Sequence, residues 1–98
     1  MPIYITLMRY TDQGRKEIAS LPDRAEAVGK RVEQAGGKVL GNYMTMGRFD
    51  QISVTEAPDD ETATALMLDL GSLGNLQTQT ARAFTEADMT TILGKIPK

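Results

Sequence analysis

The sequence predicts a small α+β domain in which a four-stranded antiparallel sheet carries helices on one face. Apolar residues alternate in four separate segments, as they do in strands, and two segments between them have the spacing of amphipathic helices. A short turn, not a helix, joins the two central strand segments. The order is therefore strand, helix, strand, strand, helix, strand, followed by an extra helix at the C-terminus.

The first predicted strand covers residues 3–9, which are rich in strand-forming residues. Its side chains alternate between two faces. One face is aliphatic and carries Ile3, Ile5 and Leu7. The other face mixes polar and apolar groups and carries Tyr4, Thr6 and Met8. We expect this mixed set, together with Ser53 and Thr55, to line the sheet face that no helix covers.

A helix is predicted to start at Ser20, after a short helical turn at 15–19 that directs Ile18 inward. Ser20 and Asp23 have the spacing of a capping box, and Pro22 suits a first helical turn. An apolar stripe at helical spacing follows, formed by Ala25, Val28, Val32 and Ala35. The pair of glycines at 36–37 predicts the end of this helix, because glycine accepts the left-handed conformation there.

The centre of the chain predicts two strands joined by a turn. The strands cover residues 38–46 and 50–56, and the turn covers 47–49. Gly41 is a candidate for a β-bulge within the first of them. Ile52 and Val54 share one face of the second strand, as the alternation requires.

The second half of the chain repeats the helix and strand pattern. Residues 58–60 cap a helix and place acidic groups at its positive end. Its buried stripe is Ala63, Leu66, Met67 and Leu70, and Gly71 is a candidate C-cap. A fourth strand is predicted at 75–84. Thr85 and Asp88 then have capping-box spacing and open a short helix with an apolar face of Met89, Ile92, Leu93 and Ile96.

This order of elements is the ferredoxin-like arrangement, and residues 1–98 form a single domain without a linker. The sheet face without helices is too apolar for a fully solvated surface and too polar for a dry core. A second copy of the sheet packing on it would form a dimeric α+β barrel, with room for a small cavity. The alternative is a monomer whose open face is half polar.

Composition excludes several classes of function. The chain has no cysteine, histidine or tryptophan, so thiol catalysis, a Ser-His-Asp triad and imidazole-bound metals are absent. The net charge is −2 and no basic patch forms, so we expect no nucleic-acid partner. Apolar runs are too short for a bilayer span, so we expect no membrane partner and a cytoplasmic location. We also expect no metal and no cofactor.

Several segments resemble the GYD domain family. They include residues 4–7, 10–14, 56–60, 71–75, 82–85 and the stretch Gly47-Arg48-Phe49-Asp50. The family signature is Gly-Tyr-Asp, and Phe49 stands where the family usually has tyrosine. The resemblance covers nearly the whole chain and implies a member of the dimeric α+β barrel group with no assigned general activity. The change to phenylalanine removes any role for a phenol at this turn.

The candidate ligand-binding residues are Tyr4, Thr6, Met8, Tyr43, Asp50 and Arg82. Packing is the competing interpretation for the tyrosines and for Met8. Asp50 is either a carboxylate at the mouth of a cavity or a turn residue that binds backbone amides. Arg82 needs a carboxylate or an anion if it is buried. Arg48 is interpreted as a solvated turn residue or a salt-bridge partner across an oligomer contact.

Two functional hypotheses remain open from the sequence. The first is a homo-oligomeric domain that binds a small ligand between subunits or serves as an assembly module, including a building block of a larger ring or shell. The second is a cofactor-free enzyme, similar to a monooxygenase or an isomerase, acting on a small organic molecule through Tyr4, Tyr43, Arg82 and Asp50. The partner expected under both hypotheses is a second copy of this chain.

Overall fold

The computed structural model describes residues 1–98 and contains four strands, four α-helices and one 3₁₀ turn. In chain order these are β1 (Ile3–Tyr10), α1 (Asp12–Lys16), the 3₁₀ turn (Ile18–Ser20), α2 (Leu21–Gln34), β2 (Lys38–Met44), β3 (Gln51–Glu56), α3 (Asp60–Ser72), β4 (Leu76–Ala83) and α4 (Glu86–Leu93). The order confirms the predicted α+β, ferredoxin-like fold. The short helix α1 starts at Asp12, earlier than the predicted turn at 15–19, because Thr11 caps it by accepting a hydrogen bond from the Gly14 amide.

The four strands form one antiparallel sheet in the order β2-β3-β1-β4. β1 therefore lies inside the sheet, and Tyr4 is opposite Thr55 on one side and Arg82 on the other. The register between β2 and β3 shifts between Val39 and Gly41, which confirms a bulge at the predicted place. β2 ends at Met44, two residues before the predicted end, and the β2–β3 loop covers residues 45–50.

The two long helices lie side by side on one face of the sheet. Arg31 of α2 forms an ion pair with Asp69 of α3 at 2.6 Å. Beneath α3, the Thr6 hydroxyl contacts the sulfur of Met67 at 3.6 Å. Helices on one face of the sheet are therefore confirmed. No helix of the chain is long and apolar enough to cross a membrane.

The expectation that Tyr4, Thr6, Met8, Ser53 and Thr55 line the uncovered face is wrong. Tyr4, Thr6 and Met8 are only 5%, 2% and 4% exposed, because they face the helices. Ser53 and Thr55 lie opposite Thr6 and Tyr4 and therefore share this face. The polar atoms among them are paired: the Thr6 and Thr80 hydroxyls are 3.1 Å apart, and the Tyr4 hydroxyl donates to Asp60. A buried polar group costs little free energy once it is hydrogen-bonded, so polarity alone does not identify the solvent side.

The helix ends agree with the sequence in part. Thr85 and Asp88 form the predicted capping box at the start of α4, and Asp59 caps α3. Gly36 has the expected positive φ of 88° after α2. Ser20 does not cap α2, because its hydroxyl donates to the Glu17 carbonyl. Gly71 is not the C-cap either, since α3 continues to Ser72 and the positive φ occurs at Gly74.

Candidate functional site

The sheet face opposite the helices is mainly aliphatic, and we call it the open face. Cross-strand pairing places on it the residues Ile3, Ile5, Leu7, Tyr43, Ile52, Val54, Ala81 and Ala83. No element of the chain covers this face. Ile5, at its centre, is 36% exposed, and Tyr43, on the edge strand β2, is 60% exposed. The fold therefore leaves an aliphatic surface, with the composition of a hydrophobic core, exposed to solvent.

The isolated chain buries little of itself. Only 9 of its 98 residues are buried. Its accessible surface is 6892 Å², whereas a monomer of this mass has about 5,500 Å². Its radius of gyration is 15.0 Å, against about 12.6 Å for a compact chain of this length. The excess surface, about 1,400 Å², exceeds the roughly 800 Å² that each partner buries in a standard interface.

The helix α4 adds to this excess. Its predicted apolar residues Met89, Ile92 and Leu93 are 53%, 42% and 64% exposed, and Ile96 beyond it is 62% exposed. None of the main packing contacts between elements involves α4. The predicted helix and its apolar stripe are thus present, but the stripe packs against nothing substantial in its own chain.

A second group of candidate side chains lies on the helix-covered side, where β1, β4 and the start of α3 meet. The Tyr4 hydroxyl donates to Asp60 Oδ1, and an Arg82 guanidinium nitrogen lies 3.2 Å from the same oxygen. The Arg82 guanidinium also stacks 5.9 Å from the Tyr4 ring centroid and 5.3 Å from the Phe84 centroid. Arg82 thus pairs with a carboxylate in an ion pair whose two members are both exposed to solvent.

The electrostatics of this cluster keep the phenol protonated. Burial raises the pKa of Tyr4, the hydrogen bond to Asp60 raises it further, and the charge of Arg82 opposes the change. Burial and the nearby Asp50 carboxylate likewise raise the pKa of Tyr10. Neither phenol is therefore poised to act as a base near neutral pH.

The structure brings only some of the sequence-predicted site residues together. Tyr4 and Arg82 meet, but Tyr43 lies on the opposite face of the sheet. Asp50 lies at the other end of β1, where its carboxylate accepts a hydrogen bond from the Tyr10 amide at 2.9 Å. This contact agrees with the turn interpretation of Asp50. Ligand binding by any of the six candidates stays a prediction.

Sequence reasoning misses Asp60 as a member of the cluster. The pattern assigns it only to the cap of α3, yet its carboxylate joins Tyr4 to Arg82. The sequence offers only a conditional signal: Arg82 needs an acidic partner if it is buried. The Arg82 side chain is 41% exposed, so this condition is not met although the partner is present. The sequence does not show how close β4 lies to the start of α3. It therefore cannot indicate which of several carboxylates pairs with Arg82.

Comparison with known proteins agrees with this architecture. The model of the GYD domain matches residues 4–93. A relative from Thermus thermophilus, described as a glutamine synthetase and cystathionine beta-lyase binding protein, is 34% identical over 90 residues, covering 91% of this chain and 95% of that protein.

Two solved structures have a similar fold. The crystal structure of FFRP-DM1 has a TM-score of 0.62 at 17% identity and covers 86% of this chain and 100% of its own. That of TTHA0845 from Thermus thermophilus has a TM-score of 0.56 at 21% identity, with coverages of 87% and 95%. At these identities the similarity concerns the fold alone. The family match spans nearly the whole sequence, and this chain therefore belongs to the GYD domain family.

Proposed function

We propose that this chain is a self-associating binding module: two copies pair through their open faces, and the assembly binds metabolic enzymes. The observation that carries the first part is the uncovered aliphatic face on a chain with excess surface. A cytoplasmic location and the small-ligand role predicted from the sequence remain parts of this proposal.

The occupant of the open face is a second copy of the chain. The excess surface is large enough for a standard interface. Few charges lie on this face: Glu56 and Lys38 are opposite each other at one end, and Arg9 is at the other. A face with an apolar centre and charges only at its rim has the composition of an interface core.

The proposed enzyme partners rest on the relative from Thermus thermophilus. That protein is described as binding glutamine synthetase and cystathionine beta-lyase, and it aligns over nearly its whole length at 34% identity. A small domain without cysteine or histidine suits a binding role better than a catalytic one. Of the four groups of the enzyme hypothesis only Tyr4 and Arg82 meet. Tyr43 lies on the opposite face of the sheet and Asp50 at the other end of β1, so we do not propose catalysis.

Self-association is tested by the native mass. Ile5→Lys places a charge at the centre of the open face, where its burial against a second copy would be costly. We expect the wild type to be a dimer or larger oligomer by light scattering and Ile5→Lys to be a monomer. Ala27→Lys, which adds the same charge on the exposed surface of α2, serves as the matched control and should leave the mass unchanged. A monomeric wild type at micromolar concentration would refute the pairing.

Enzyme binding is tested separately with purified glutamine synthetase and cystathionine beta-lyase from the organism that encodes the chain. Each enzyme is immobilised, and the wild-type protein is passed over it in a biosensor, with serum albumin as the control surface. We expect saturable binding to at least one enzyme and none to albumin. Failure to bind either enzyme would remove the second part of the proposal and leave the native mass to decide the first.

A further inference from the structure

A small cleft lies at one rim of the open face, next to the β2–β3 loop. Its volume is about 180 Å³, and it is lined by Leu7, Arg9, Arg48, Phe49, Gln77 and Gln79 together with Thr78. The lining comes from β1, β4 and the loop of a single chain, so the cleft is complete without a second copy. Leu7 and Arg9 also belong to the open face, so a paired second copy would lie next to the cleft.

Two arginines of the cleft are held on one aromatic ring. The guanidinium carbons of Arg9 and Arg48 lie 5.4 and 5.8 Å from the centroid of Phe49. The Nε of Arg9 also donates to the backbone carbonyl of Arg48 at 2.9 Å. These contacts restrict the two side chains, which lowers the entropy cost of binding a ligand between them.

The positive charge of the two arginines is not compensated within the chain. Neither guanidinium forms an ion pair with a carboxylate, unlike those of Arg15, Arg31 and Arg82. The remaining lining residues are neutral. The Asp50 carboxylate accepts a hydrogen bond from the Tyr10 amide and forms no ion pair with either arginine. Both guanidinium groups lie within 5.8 Å of the same ring centroid and both arginines line the same cleft. Their positive charge favours an anion, and guanidinium forks match the geometry of carboxylate and phosphate oxygens.

We propose that this cleft binds the carboxylate or phosphate group of a small organic anion. Arg9 and Arg48 bind the oxyanion, the amides of Gln77 and Gln79 offer hydrogen bonds to further polar groups, and Leu7 provides an apolar contact. This assignment departs from the interpretation of Arg48 as a solvated turn residue. It also gives Phe49 a role that needs no phenol: its ring supports both guanidinium groups.

The test is a nuclear magnetic resonance titration of the full chain at low ionic strength. Malate and inorganic phosphate are the two probes, with sodium chloride at equal ionic strength as the control. We expect saturable shifts of the Arg9 and Arg48 side-chain Nε–H signals and of the Gln79 amide. The probe with the lower Kd identifies whether carboxylate or phosphate is the preferred group.

Arg48→Gln should raise the Kd at least tenfold, because it removes a charge-assisted hydrogen bond to the oxyanion. Arg15→Gln removes the same charge at an exposed position on α1 and should leave the Kd unchanged. Arg9→Gln is a second variant, in case the loop of Arg48→Gln is disturbed. Absence of saturation with both probes, or equal weakening by Arg15→Gln, would overturn the site.

Loss of oligomer in Arg48→Gln without any anion binding would also overturn it, because the arginine would then contact an acidic group of a second copy. The native mass of each variant, measured by light scattering, separates that outcome from ligand binding. The anion site and the pairing of open faces can thus fail independently.

Discussion

At the residue scale, glycine is required where two backbone segments lie too close together for a side chain. Gly14 is buried in α1, and a Cβ atom at this position would collide with the Asn75 carbonyl before β4. Because that oxygen belongs to the backbone, it cannot move as a flexible side chain would. We expect Gly14→Ala to lower the free energy of unfolding by about 1–3 kcal/mol, measured by urea denaturation.

Gly29 in α2 provides the matched control, since a Cβ atom there meets nothing within 4 Å. The same substitution should stabilise the protein by about 0.5–1 kcal/mol, because alanine favours the helix over glycine. Opposite signs for the two variants are the expected result. Destabilisation by Gly29→Ala, or no change in Gly14→Ala, would contradict the packing described at these positions.

Residues also show where sequence reasoning stops. The alternation along β1 correctly separates Ile3, Ile5 and Leu7 from Tyr4, Thr6 and Met8. It does not indicate which set faces the helices, because polar side chains can be buried when partners across the fold satisfy them. The Tyr4–Asp60 hydrogen bond joins residues 56 positions apart, and no local pattern predicts such a contact.

At the element scale, the start of α3 depends on one carboxylate. The Asp59 side chain accepts a hydrogen bond from the Thr62 amide at 2.7 Å. The side-chain and backbone hydrogen bonds of Thr62 lower the pKa of this exposed carboxyl below its ordinary value, and its slight desolvation opposes them. At neutral pH we expect Asp59→Ala to lower the Tm by a few degrees and Asp59→Asn, which still accepts the bond, to lower it less.

The pH dependence of this cap follows from the lowered pKa. A carboxyl whose pKa falls on folding stabilises the protein above its unfolded pKa of about 3.9 and loses this contribution as the pH falls through the folded value. The difference in Tm between the wild type and Asp59→Asn should therefore shrink as the pH drops below about 4. A difference that is constant from pH 7 to pH 3, measured by calorimetry, would contradict this role.

Elements are more predictable than their contacts. Periodicity identifies all four strands, and the capping box at Thr85 correctly places the start of α4. Periodicity also gives α4 an apolar stripe, but it does not say what the stripe packs against. In the structure the apolar stripe of α4 is largely exposed. This exposure is expected of a helix whose apolar face packs against another chain.

At the scale of the whole molecule, the excess surface links folding to self-association. If two copies cover each other's open faces, the paired chains are more stable than the single chain, and mass action makes the Tm depend on concentration. For a dimer, each tenfold rise in chain concentration adds about 1.4 kcal/mol to the free energy of unfolding. Because this increment is per mole of dimer and two chains unfold together, it corresponds to a rise of about 3–6 °C in the Tm.

Thermal unfolding of the wild type at three concentrations, spanning two decades around the micromolar range, measures this effect. We expect the Tm of the wild type to rise at each step and that of Ile5→Lys to stay constant, because a monomer unfolds independently of concentration. Ala27→Lys should follow the wild type. A wild-type Tm that does not change with concentration, combined with a monomeric mass, would mean that the open face of this sheet stays in contact with water.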